Sequence, residues 1–207
     1  MVGRSKANAM TDIIDTLVGI EPGSALDQIR STRQQARDNA QRSFEVLFEP
    51  ENPGTFSLAE RYAVAAYTVS LQASQSPAAA FYTEMLEDEV SPELAHAVAE
   101  LAAQDRRPGP YGEYQETGLA AESEPGPTVS YSPERRPAVI DERLAAALEH
   151  AHLLSLHPRD ATAQHLRRLE TAGWSADDIV TLSQVISFLA FQIRVIDGLL
   201  ALKGARS

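Results

Sequence analysis

A chain of 207 residues with 43% hydrophobic side chains is long enough to bury a core, as one domain or two small lobes. Its net charge of −11, from 18 Lys and Arg scattered among 29 Asp and Glu, offers no basic stripe to neutralise phosphates and argues against nucleic acid as a partner. Cysteine is absent, which excludes disulfides, thiolate metal sites and every mechanism that needs a nucleophilic or redox-active thiol.

Residues 1–10, MVGRSKANAM, lack the apolar run of a signal peptide and read as a leader or tag-like tail, with Met10 a second start or the end of that leader. The remainder, 11–207, is expected to form a single all-α domain in the cytoplasm. Ser24 with Asp27 opens a segment whose apolar residues Leu26, Ile29, Ala36, Ala40, Phe44 and Leu47 fall mostly at helical spacing, and EPENPG at 49–54 stops it. This predicts one long amphipathic helix.

Ser57 followed by Glu60 is a capping box, in which the hydroxyl accepts from the third helical amide and the carboxylate reaches back. Ala63, Val64, Tyr67, Val69 and Leu71 continue an apolar face. Ser76-Pro77 and Ser91-Pro92 each place a cap before a first-turn proline and start a short helix. Residues 105–132 change character, being rich in Pro, Gly and Glu, and predict a loop or crossing strap between halves at about 24–104 and 133–203.

Helix resumes from Ala138 to Leu156, and Asp160 is placed to cap the next segment, which Gly173 ends in a left-handed conformation. Ser175 with Asp178 forms a second box and opens the very apolar run Ile179 to Leu202. That run approaches bilayer-spanning length, but Gln184, Gln192, Arg194 and Asp197 favour a buried helix of a soluble protein over a membrane span. A helix apolar on nearly all sides needs cover on nearly all sides, from its own domain or from a second copy. The boxes at Ser57 and Ser175, with their similar apolar rhythm, suggest a weak internal repeat.

The order of elements, together with the C-terminal LRRLETAGWSADDIVTLSQVISFLAFQIRVIDGLLAL, resembles the alkylhydroperoxidase D-like (AhpD-like) and carboxymuconolactone decarboxylase superfamily. Its peroxidase-related branch carries a phrase like FQIRVIDGL, Phe191 to Leu199, in the last helix. The resemblance implies an AhpD-like helical fold of two pseudo-repeat halves, and an oligomer, a dimer first. The family's pattern of Glu, eleven residues, Cys, two residues, Cys, three residues and His is met here at Glu60 alone. The Cys positions fall on Gln72 and Gln75, the residue before the second on Ser74, and the His position on Ala79. Glutamine is neither nucleophile nor electron donor, so the peroxidase chemistry of the family is excluded.

Two roles are open for Glu60: completing its capping box, or transferring protons to a small polar substrate from a pocket. Gln72, Ser74 and Gln75 are candidate substrate-binding residues or members of a solvated turn. A guanidinium inside FLAFQIRVI is costly unless paired, so Arg194 is expected to pair with Asp197, with anion binding as the other role. Glu93 with His96 and Glu149 with His152 repeat the Glu-x-x-His spacing by which helical bundles hold two metals. That di-metal alternative aside, no cofactor is expected. The function classes are thus an AhpD-like enzyme of unknown reaction using Glu60, a non-catalytic oligomeric binding or structural relative, or a di-metal protein.

Overall fold

The computed structural model describes residues 12–205; the expected leader at 1–10 lies outside them. The architecture is all-α, and the described residues contain no strand beyond an isolated bridge between Gly112 and Glu124.

The sequence between Ser24 and Leu47 forms two helices rather than the single one expected, and a further short helix precedes them. α1 spans Ile13–Val18, α2 Ala25–Ser31 and α3 Gln34–Phe48. Thr32 bonds its hydroxyl back to the Ile29 carbonyl at 2.7 Å, and Arg33 leaves the helical region at φ −129 and ψ 56. A hydroxyl that satisfies a backbone group locally competes with helix continuation. The break lets Arg30 and Arg37 approach the α1 carboxylates from two directions. Arg30 bonds Asp15 and reaches Asp12 at 2.6 Å, while Arg37 bonds Asp15 and reaches Asp27 at 2.8 Å.

α4, Leu58–Ala73, is the centre of the molecule. Every residue from Arg61 to Val69 is buried, and the helix packs against α5 (Pro77–Glu89), α6 (Pro92–Asp105), α7 (Glu142–Leu156) and α9 (Ala176–Gly204). Its many alanines bring backbones close without the side-chain entropy cost of larger residues. Arg61 is buried to 5% exposure because its guanidinium meets three carbonyls, of Phe56, Leu47 and Pro53 at 2.9, 2.7 and 3.2 Å. One of these, Leu47, belongs to the last turn of α3, where carbonyls lack helical partners.

α7 begins four residues later than Ala138, because Asp141 takes the N-cap and accepts from the Leu144 amide at 2.7 Å. α8 spans Ala163–Thr171 and is capped by Thr162 rather than by Asp160. Asp160 is committed elsewhere: it pairs with His157 at 3.0 Å and accepts from the Glu113 amide at 3.2 Å. Gly173 has φ 92, the left-handed end that only glycine adopts cheaply.

α9 is long and apolar enough to cross a membrane by length and composition, but it packs in this fold along α1, α3, α4 and α7. Buried Gln192 accepts a bond from the Tyr82 hydroxyl at 2.9 Å. The cover is incomplete, since Val180 and Phe191 remain 57% and 46% exposed. Arg194 is on the exposed side and donates to the Ala190 carbonyl of its own helix at 2.6 Å, so the expected pairing with Asp197 is replaced by a bond that needs no desolvated charge.

Candidate functional site

Glu60 completes the predicted capping box. Its Oε2 accepts from the Ser57 amide at 2.9 Å and from the Ser57 hydroxyl at 2.8 Å, while the Glu60 amide donates to Ser57 Oγ at 3.3 Å. The other oxygen, Oε1, accepts from Arg143 Nε at 2.6 Å. Arg143 is the hub of this corner. It also donates to the carbonyls of Gly173 and Thr55 at 2.5 and 3.1 Å, lies 3.7 Å from Asp178, and stacks 4.0 Å over the Trp174 ring.

Asp178 makes only half of the second box. Its amide donates to Ser175 Oγ at 3.2 Å, but its carboxylate accepts from Thr55 Oγ1 at 2.5 Å. Burial pushes the Asp178 carboxyl up, yet the hydrogen bonds from Thr55 and Ser175, followed by the Arg143 guanidinium, outweigh it and hold the group below its ordinary value. The first turns of α4 and α9 therefore meet at one arginine from α7, and both acids serve that joint.

The other residues of the family pattern are elsewhere. α4 is unbroken to Ala73, so Gln72 lies about 18 Å along the helix from Glu60. Gln72 donates to Ser155 Oγ in α7 at 3.1 Å, Ser74 closes α4 as its C-cap, and Gln75 is exposed in the turn. Arg194 sits on α9. Glu60 and these four form no common site within the chain.

Nor does the Glu-x-x-His pairing assemble a metal centre. His96 is exposed on α6 with Glu100 at 3.4 Å, Glu93 is exposed beside it, and Glu149 and His152 belong to α7. No group of three or more His, Asp or Glu able to hold a metal occurs among the described residues.

The α7 half of that pattern does line a cavity of about 100 Å³, which the sequence did not reveal as a site. α7 supplies Glu149, His150 and His152, α8 supplies His165 and Arg168, and the strap lays Thr128 and Val129 across it. Glu149 accepts from the Tyr131 amide at 2.7 Å and from Arg168 Nε at 3.1 Å. Ser183 gives its hydroxyl hydrogen to the Ile179 carbonyl at 2.9 Å, so its oxygen must accept from His150 Nε2 at 3.1 Å. The His150 ring hydrogen is thereby assigned to Nε2, which leaves Nδ1 as a bare lone pair.

His150 Nδ1 and His152 Nε2 are buried without a hydrogen-bond partner among the described residues. Desolvation pushes both imidazoles down to about 4, so both are neutral near pH 7. His157 differs in that both ring nitrogens have partners, Nδ1 with the Asp160 carboxylate at 3.0 Å and Nε2 with the Pro127 carbonyl at 2.9 Å.

Behind the cavity wall, Tyr67 and Tyr131 share the Asp105 carboxylate. Tyr67 bonds it at 3.1 Å, Tyr131 bonds it more closely, and the two hydroxyls are 2.8 Å apart. Burial, followed by the neighbouring charge and phenol, raises both phenols well above their ordinary value, so they act here as hydrogen-bond donors rather than as bases.

Searches against protein-family models and against curated proteins give no match to this sequence.

Proposed function

We propose that this chain is a thiol-free relative of the AhpD-like and carboxymuconolactone decarboxylase scaffold that works as a non-catalytic oligomer in the cytoplasm. The observation that carries this reading is the occupation of Glu60: both oxygens are bonded, to its own helix start and to Arg143. A carboxylate committed to its own helix start and to an arginine of another helix holds a joint together, whereas a general base must face a substrate proton. With Gln72 a helix length away, the geometry favours the binding or structural reading over Glu60-based catalysis.

The proposed partner is a second copy, and the proposed surface is the exposed ridge of α9. Gln184, Ser187 and Phe191 separate or edge two grooves, one of about 620 Å³ toward Asn39, Arg42 and Val46 of α3, the other of about 410 Å³ toward Leu166 of α8. Neither groove is lined by a carboxylate, although the chain carries a net charge of −11. Two copies can thus bring these faces together without setting carboxylates against each other, and the apolar residues left half-covered by the chain would gain cover.

Light scattering coupled to size-exclusion chromatography tests the proposal. The wild-type chain is expected to run as a dimer or larger, and Phe191→Asp with Val180→Asp as a folded monomer. A monomeric wild type at tens of micromolar, or peroxide turnover driven by a dithiol donor, would overturn it.

A further inference from the structure

We infer that two copies of this chain join through α9 as an antiparallel helix pair, about a two-fold axis between Gln184 and Ser187, with Asp177 of each helix facing the partner's Arg194. This rests on the self-association proposed above and gives it a register.

The exposed side of α9 sets the pairing. Asp177, Val180, Gln184, Ser187, Phe191 and Arg194 are all exposed, and they recur at alternating steps of three and four residues. That alternation is the seam of a paired helix, which repeats every 3.5 residues or so, about half a heptad. The row is complementary to its own reverse. Its order is charged, apolar, polar, polar, apolar, charged, with opposite signs at the two ends. Against a reversed copy, Asp177 meets the partner's Arg194, Val180 the partner's Phe191, and Gln184 the partner's Ser187. A two-fold interface requires such self-complementarity.

The polar members are open to these partners. No side chain among the described residues pairs with the Asp177 carboxylate. Arg194 spends one Nη1 hydrogen on the Ala190 carbonyl, and its remaining N–H groups are unengaged. Ser187 gives its hydroxyl hydrogen to the Ser183 carbonyl at 2.8 Å, so its oxygen can only accept, and the Gln184 carboxamide can donate. The apolar members meet apolar ground. The partner's Phe191 lies over the groove lined by Leu166, Ile179 and Val180, and an aromatic side chain in a groove is a common interface anchor.

Other arrangements lose this match. A parallel pair sets Asp177 against Asp177 and Arg194 against Arg194, which like charges disfavour. Sliding the antiparallel pair by one heptad sets Phe191 against Ser187 in one direction and Asp177 against Ser187 in the other.

Sedimentation equilibrium of the full chain tests the pairing by charge exchange. Arg194→Asp and Asp177→Arg, each alone, are expected to weaken the dimer at least about tenfold, and the double variant to return to within about threefold of wild type. The two residues stand about 25 Å apart along one unbroken helix, so that recovery has to come from a second chain. Because the chain has no cysteine, Ala201→Cys gives one nitroxide site per copy, exposed and beyond the seam. Dipolar electron spin resonance is expected to place the two labels roughly 45 Å apart, against about 20 Å or less for a parallel pair. A double variant no tighter than the singles, singles as tight as wild type, or closely spaced labels in a dimer overturns the pairing and leaves self-association standing. A monomeric wild type removes both. The labelled chain keeps every paired residue, so it decides the register even where an exchanged variant folds poorly.

Discussion

At the level of single residues, the informative side chains are those holding several partners at once. Arg143 joins Glu60, the Gly173 and Thr55 carbonyls and the Trp174 face, while Trp174 in turn donates its Nε1 hydrogen to the Arg143 carbonyl at 2.9 Å. Removing the guanidinium leaves a part-buried carboxylate and two carbonyls short of a donor. Arg143→Ala is therefore expected to cost about 2–4 kcal/mol and lower the melting temperature by roughly 5–10 °C, as measured by calorimetry. Glu60→Gln retains an oxygen acceptor but loses the charge, and is expected to cost only about 1 kcal/mol. A Glu60→Gln loss that greatly exceeded the Arg143→Ala loss would contradict this account of the joint. Glu60 was legible in sequence because its cap partner, Ser57, is three positions away. Arg143 was not, because its partners come from three distant segments and no spacing links them.

At the level of elements, the short N-terminal helices add to their buried Ile14, Val18, Leu26 and Phe44 an ion-pair cluster around Asp15, which is 3% exposed. A buried charge stripped of its partner is expensive. Asp15→Asn, which removes one of the three carboxylates facing Arg30 and Arg37 and the one they share, is expected to cost about 3 kcal/mol and to raise amide hydrogen exchange in α1 to α3 before the α4 core. The strap from 106 to 141 is fastened at α7's end by several independent bonds. The Tyr111 amide donates to the Leu156 carbonyl at 2.6 Å, and Arg159 reaches Tyr111's carbonyl and Tyr114's hydroxyl at 2.9 and 2.8 Å. Gly126 lies so close to the Tyr111 ring that an added Cβ would sit 2.2 Å from its Cγ. Gly126→Ala is accordingly expected to loosen the strap, seen as faster proteolysis within 106–141 at unchanged helical content. The Pro and Gly composition announced an excursion at 105–132, but not that it would form a wall of a cavity, since the docking contacts pair strap residues with α7 and Arg159, tens of positions away, and no spacing links them.

At the level of the whole molecule, two buried neutral histidines make the fold sensitive to acid. Their folded values, about 4, lie below the ordinary value of 6.5, so between those limits the unfolded chain binds more protons than the folded one. Stability is full above about pH 6.5 and falls as the pH drops toward 4. Calorimetry from pH 7 to pH 4.5 is expected to show a fall in melting temperature of roughly 5–10 °C, and this slope should shrink in a variant carrying Phe at both 150 and 152. An unchanged slope in that variant would locate the acid sensitivity elsewhere.

The all-α class, the caps at Ser57, Ser76, Ser91 and Ser175, and the left-handed end at Gly173 were determined by sequence alone. Each depends on a hydroxyl, carboxylate or missing Cβ acting within one helical turn. The absence of cysteine likewise settled, without coordinates, that thiol chemistry has no place here. Only the tertiary structure decided that α4 rather than α9 is the enclosed centre, that Arg194 faces outward, and that Glu149, His150, His152, His165 and Arg168 share one cavity. Those outcomes depend on which faces of different helices meet, and periodicity within a helix marks an apolar face without naming the surface that will cover it.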